Sequence, residues 1–217
     1  KDPFGPSENG AGDTTADGVW GQADFSSNSC NRGGNPSQNS LCFANETSGN
    51  PSFSVGVEVD QLGNLWVADS LNSRVLRFPY DAGLSRARDT ADLVLGQPDF
   101  NSSSNTYQPE LTKMRYPGAI KFHPQSGKLF VLDSYNDDDL DGKLGRVLTF
   151  SAPFSNGIAG VKWGNQETLF NLPTGIEFTL DGQGVWITDT LSQKTNLWNI
   201  DGTSVLNSLQ SQGDTRG

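Results

Sequence analysis

The residues best suited to chemistry lie in one acidic run. Asp137-Asp138-Asp139-Leu140-Asp141-Gly142 sets carboxylates at alternate positions, Asp137, Asp139 and Asp141, ahead of a glycine that permits a sharp turn. Oxygen donors at that spacing converge on a hard cation, and the Lys143 carbonyl follows as the next donor, so the segment is a candidate calcium loop. The bidentate glutamate that ends a complete loop of this kind is replaced by Leu148. Closing the shell therefore calls on Asp133, Asn136 or a neighbouring loop. The alternative is a solvated acidic insertion between two strands, but clustered carboxylates without a cation repel one another, which favours calcium.

Other reactive side chains are sparse. Cys30 and Cys42 are the two cysteines, and they bracket a Gly/Asn/Ser-rich loop, so the even count and the loop context predict a disulfide between them. Asn45-Glu46-Thr47 and Asn101-Ser102-Ser103 are N-glycosylation triplets in loop-like sequence, making Asn45 and Asn101 candidate acceptors. Together these features predict a secreted, extracellular protein. His123 is the single histidine and precedes Pro124, which suggests a surface turn. The sequence has no Gly-x-Ser-x-Gly, phosphate loop, Cys-x-x-Cys or His-x-x-x-His, so acyl transfer, nucleotide use and zinc chemistry lack support. A formal net charge of −10 argues against nucleic acid and anionic lipid surfaces as partners, since both need clustered Lys and Arg. No apolar run approaches the length of a transmembrane helix, so no membrane span is expected.

The elements that must position these residues are repeats. Gly56-Val57-Glu58-Val59-Asp60 with Gly63-Asn64-Leu65-Trp66-Val67-Ala68-Asp69-Ser70 superimposes on Gly118-Ala119-Ile120-Lys121-Phe122 with Gly127-Lys128-Leu129-Phe130-Val131-Leu132-Asp133-Ser134. Gly175-Ile176-Glu177-Phe178-Thr179 with Gly184-Val185-Trp186-Ile187-Thr188-Asp189-Thr190 is a third copy. Each is followed by another apolar run: Arg74–Phe78, Arg146–Phe150 and Asn196–Ile200. A further element recurs between the units, with Val19-Trp20-Gly21-Gln22-Ala23-Asp24-Phe25 matching Leu93–Phe100 and, more loosely, Gly160–Asn165. Short runs of Val, Ile, Leu, Phe and Trp bounded by Gly, Asn, Asp and Pro are strand grammar, and no helical stripe competes with it. Four such strands per repeat predict an all-β fold, a β-propeller of four-stranded antiparallel blades with about three blades in this chain. The blades fall at about 54–100, 118–165 and 174–217, within a propeller region 18–217 preceded by a flexible N-terminal arm, 1–17, whose Pro and Gly follow no period. Trp66, Trp163 and Trp186 sit inside strands and read as core.

Gly56–Phe78 resembles an NHL repeat. The Gly-Val-x-Val-Asp, Gly-Asn-Leu-x-Val-Ala-Asp-Ser and Arg-Val-Leu-Arg-Phe segments match nearly throughout, with Trp66 where Tyr is common. The second copy departs by the insertion Tyr135–Leu144, and the third has Asn196 in place of the arginine. The resemblance implies a propeller, usually of six blades, and a family that includes extracellular binding modules, RNA-binding modules and a few lyases. It is specific for a blade and not for an activity.

Three blades are too few to close a ring. The third also lacks a recognisable outer strand, because Ser204-Val205-Leu206-Asn207 carries no Gly-Gln signature. Two expectations follow. Either the strand at Val19–Gly21 of one copy completes the third blade of another, giving self-assembly with further copies of the chain as partner, or the chain is part of a longer six-bladed propeller. The recurrent Asp69-Ser70, Asp133-Ser134 and Asp189-Thr190 pairs read as turn-capping groups that bond backbone N–H, with Arg74 and Arg146 as packing residues, because a group present in every repeat serves the repeat. The functional expectation is a non-catalytic structural or recognition module that binds a protein partner or copies of itself. The alternative is a propeller-type lyase or lactonase with a metal-dependent site. Glu58 and Glu177 occupy equivalent strand positions as such a site requires, but Lys121 interrupts the set in the second repeat.

Overall fold

A computed structural model describes residues 16, 18–43, 55–104, 110–134, 145–164 and 170–210. The apolar runs of the three repeats form strands, in three four-stranded antiparallel sheets. The first blade is built from β1 (Val57–Val59), β2 (Leu65–Asp69) and β3 (Arg74–Phe78); a small hairpin, β4 (Tyr80–Asp81) with β5 (Arg86–Ala87), then leads to the outer strand β6 (Leu93–Leu95). The second comprises β7 (Pro117–Phe122), β8 (Leu129–Asp133), β9 (Arg146–Phe150) and β10 (Val161–Lys162). The third comprises β11 (Pro173–Phe178), β12 (Gly184–Asp189), β13 (Lys194–Asn199) and β14 (Val205–Gln210). The result is an open propeller, and no helix among the described residues is long and apolar enough to cross a membrane.

Side-chain alternation along each strand sorts the core into layers between blades. Trp66, Ala68 and Val75 of the first blade meet Ile120, Leu129, Val131 and Leu148 of the second. Phe130, Leu132 and Val147, on the opposite face of the second blade, meet Phe178, Val185 and Ile187 of the third. Trp66 and Trp163 are buried as expected, whereas Trp186 alternates with Val185 and Ile187 and so stands half-buried on the outward face of the third blade.

Two strand expectations are corrected. The outer slot of the third blade is filled by β14 from its own chain, paired to β13 from Lys194↔Gln210 to Trp198↔Val205. That slot is therefore not open to a strand exchanged from another copy. Val19–Gly21, proposed as that strand, is not a strand at all. Its likeness to Leu93–Phe100 resides in the turn that follows: Gly21 and Gly96 take φ of +85° and +82°, which glycine adopts without penalty. The aspartate three residues later closes the same local turn in both copies. Asp24 accepts the N–H groups of Ser26 and Ser27, and Asp99 those of Asn101 and Ser102.

Residues 18–43 instead cover the face of the first blade that turns away from the second. Leu41 is buried there with Val67, Leu76, Phe78 and Val94, and Trp20 packs at the margin with its Nε1 donating to the Arg88 carbonyl at 2.8 Å. The predicted Cys30–Cys42 disulfide is present within this cover. Its attachment is polar: Asn31 and Asn72 exchange side-chain hydrogen bonds at 3.0 and 2.7 Å, and the Cys42 N–H donates to Asp69 Oδ1 at 2.7 Å.

The Asp-Ser/Thr pairs do bond backbone N–H, with Asp133 accepting from Arg115 and Tyr116 and Asp189 from Asn171 and Leu172. They do more than cap. Asp69 and Asp133 also hold the buried guanidinium groups of Arg74 and Arg146 at 2.7 and 3.0 Å, and the adjacent serines reach into the following blade.

Candidate functional site

The innermost strands β1, β7 and β11 lie side by side, with the Gly56 N–H donating to the Gly118 carbonyl at 3.0 Å. A side chain at Gly56 would meet that oxygen at 2.5 Å, so only glycine allows the approach. Glu58 pairs with Trp66, Lys121 with Phe130 and Glu177 with Trp186, which puts the three charged residues on one rung of successive blades. The lysine that interrupts the carboxylate set in the sequence is thus the group that joins it. Lys121 Nζ lies 3.6 Å from Glu58 Oε2 and 3.3 Å from Glu177 Oε2. Partial burial works to lower the Lys121 pKa, but the Glu58 charge and the Glu177 hydrogen bond outweigh it and hold the ammonium above the ordinary lysine value.

This line opens into a cavity of about 570 Å³, within the range of small-molecule sites. Phe122, Phe154 and Phe178 form apolar walls. Trp66 packs behind Phe122 and Phe154, and the three rings meet edge to face with centroids 5.0 to 6.4 Å apart. Leu62 and Leu180, at the tips of the β1–β2 and β11–β12 turns, stand at the mouth and are 79% and 104% exposed. Asp60 completes the acidic side. Its Oδ1 accepts from the Leu62 and Asn64 N–H groups and its Oδ2 from Asn64 Nδ2 and Trp66 Nε1, all at 2.8–2.9 Å. Burial works to raise the Asp60 carboxyl, yet those hydrogen bonds prevail and keep it below the usual aspartate range.

His123 corrects the surface-turn expectation. It is buried at the seam between the second and third blades, against Phe178 at a centroid distance of 5.0 Å. Its Nδ1 accepts the Ser126 N–H at 3.0 Å, which leaves Nε2 to carry the proton and donate to the Gly182 carbonyl at 2.9 Å. Ser126 Oγ lies 2.8 Å from the same Nδ1, but a lone pair already shared with the backbone N–H closes a turn and is poorly placed to activate that hydroxyl. With the histidine engaged at both nitrogens and Lys121 held as a cation, the described lining offers carboxylate charge and apolar surface.

The candidate calcium ligands Asp137, Asp139, Asp141 and Lys143 lie outside the described residues, as does Asn45. Asn101 is exposed in the turn that Asp99 closes. Local spacing marks the acidic run, whereas the described site is drawn together from three repeats. The signal that could have found it was the alignment of Glu58, Lys121 and Glu177.

No protein-family model and no curated protein matches the chain. Among solved structures, virginiamycin B lyase from Staphylococcus aureus is similar at 14% identity and a TM-score of 0.44, over 76% of this chain and 43% of that one. A Bacteroides fragilis protein assigned as a 6-phosphogluconolactonase is similar at 12% identity and a TM-score of 0.46, over 70% and 37%. A structure of a nidogen–laminin complex is similar at 12% identity and a TM-score of 0.46, over 72% and 47%. The chain thus spans less than half the length of each.

Proposed function

We propose that the chain is a secreted, NHL-like propeller module that recognises a ligand without transforming it, and that the ligand sits in the cavity over Lys121. The observation that carries this reading is the Glu58–Lys121–Glu177 line at the floor of an apolar-walled cavity: three blades each contribute one charged group to one concave surface. Held in place by the ammonium between them, the two carboxylates give the cavity floor a fixed pattern of charge suited to orienting a bound molecule. The disulfide and the Asn101 triplet support an oxidising, extracellular setting.

The test is a small-molecule fragment screen on the full chain followed by ¹H–¹⁵N NMR, with the Trp66 indole N–H, donated to Asp60, as a reporter at the cavity. Saturable shifts at Trp66 that disappear in Phe122→Ala support the reading. Hits confined to other surfaces overturn it. Parallel assays of lactone hydrolysis and of lyase turnover, with and without calcium, should show no product. Turnover abolished by Lys121→Met would replace recognition with catalysis.

A further inference from the structure

We infer that the cavity selects an organic cation, an ammonium or guanidinium group carried on an apolar body, an assignment that rests on the recognition reading above. The argument is one of charge and shape. Among the described residues that line the cavity, Glu58, Asp60 and Glu177 stand against one cation, Lys121, which leaves two negative charges in excess. The hydrogen bonds to Asp60 come from neutral donors, so its lone pairs are occupied while its charge is uncompensated. Lys121 reaches the two glutamates at 3.6 and 3.3 Å, longer than the 2.7 and 3.0 Å of the buried Asp69–Arg74 and Asp133–Arg146 pairs, and most of the Glu177 side chain remains open to solvent. A second cation can join these carboxylates without displacing the first, and apolar walls strengthen the attraction by excluding water.

The apolar half of the ligand is argued from the lip. Leu62 and Leu180 expose nearly their whole side chains at the tips of turns from the first and third blades and line the same cavity as Phe122 and Phe154. Exposed apolar groups rimming a concave acidic site fit a molecule with one charged end and one greasy end.

Matched probes that share a body and differ in charge test this: phenethylammonium, phenethyl alcohol and hydrocinnamate, titrated against the full chain with the Trp66 indole resonance as readout. The ammonium should bind about tenfold more tightly than the alcohol, with the carboxylate weakest. Glu58→Gln with Glu177→Gln should reduce binding of the ammonium about tenfold and leave the alcohol unchanged. Lys121→Met removes the resident cation and should tighten the ammonium, a gain that a misfolded variant cannot imitate. Equal binding of all three probes, or preference for the carboxylate, overturns the cation assignment while leaving the cavity as a binding site. Absence of saturable binding by any probe overturns both.

Discussion

Ser134 Oγ donates to the Pro173 carbonyl across the seam between the second and third blades at 2.6 Å, just as Ser70 Oγ donates to Pro117 across the first seam at 2.6 Å. Both serines are buried, and each follows the aspartate that ends the second strand of its blade. Thr190 occupies the same place in the third blade, where its hydroxyl meets Thr174 Oγ1 of its own sheet at 2.6 Å and is exposed.

The seam bonds make a graded prediction. Ser134→Ala and Ser70→Ala each leave a buried carbonyl without its side-chain donor and should cost about 1–3 kcal/mol. Thr190→Ala, at an exposed site where the hydroxyl bonds within its own sheet, should change stability by less than about 0.5 kcal/mol. Urea unfolding of the three variants checks this, and equal losses at all three would show that the serines do not act across the seams.

The covering segment depends on Arg74. Its guanidinium is buried against Asp69 and also donates to the carbonyls of Ser37, Ser40 and Phe100, tying residues 18–43 to the first blade. Burial pushes the Asp69 carboxyl up, and Arg74 supplies the largest opposing charge. Arg74→Met strands that carboxylate and should cost about 3–5 kcal/mol. Cys30→Ser with Cys42→Ser removes a link across 12 residues and should cost about 3 kcal/mol. Hydrogen exchange should then rise across 31–43 in both variants while β8 and β12 keep their protection, and uniform loss of protection would show that the cover and the blades are one cooperative unit.

Calcium remains a proposal from spacing alone. Titration of the full chain with calcium chloride should give saturable heat, with a Kd on the order of 10⁻⁴–10⁻³ M as in extracellular sites. Asp139→Asn with Asp141→Asn should abolish it. No heat at millimolar calcium would dispose of the candidate loop.

Much of the fold is readable in the residues because blades repeat: the same apolar runs recur with the same Gly and Asp between them, and each copy becomes a strand set. The misreadings have a common cause. Val19–Phe25 shares its Gly-Gln-x-Asp signature with the outer-strand region, but that signature encodes the left-handed glycine and aspartate turn, and Val205–Gln210 forms an outer strand without it. His123 pairs with Gly182, 59 residues away, through a contact fixed by how two blades meet, which no local pattern expresses. The site follows the same division. Equivalence of Glu58, Lys121 and Glu177 is visible on alignment, whereas their joining into one line depends on the spacing of adjacent blades.

The cavity should show itself at both ends of the pH scale. Asp60 has its folded pKa below the unfolded value of about 3.9, so it stabilises the fold above that value and this contribution is lost as pH falls through the folded pKa. Lys121 has its folded pKa above the unfolded value of about 10.4, so its contribution is complete below that value and is lost as pH rises through the folded pKa. Asp60→Asn should therefore be less stable than the parent at pH 7, with the gap closing under acid. Lys121→Met should be less stable at pH 7 by a small margin, since the group is partly exposed, with the gap closing in strong alkali. Urea unfolding across the pH range checks both. A gap for Lys121→Met that instead widens in alkali would mean that the glutamates do not hold the ammonium in the folded protein.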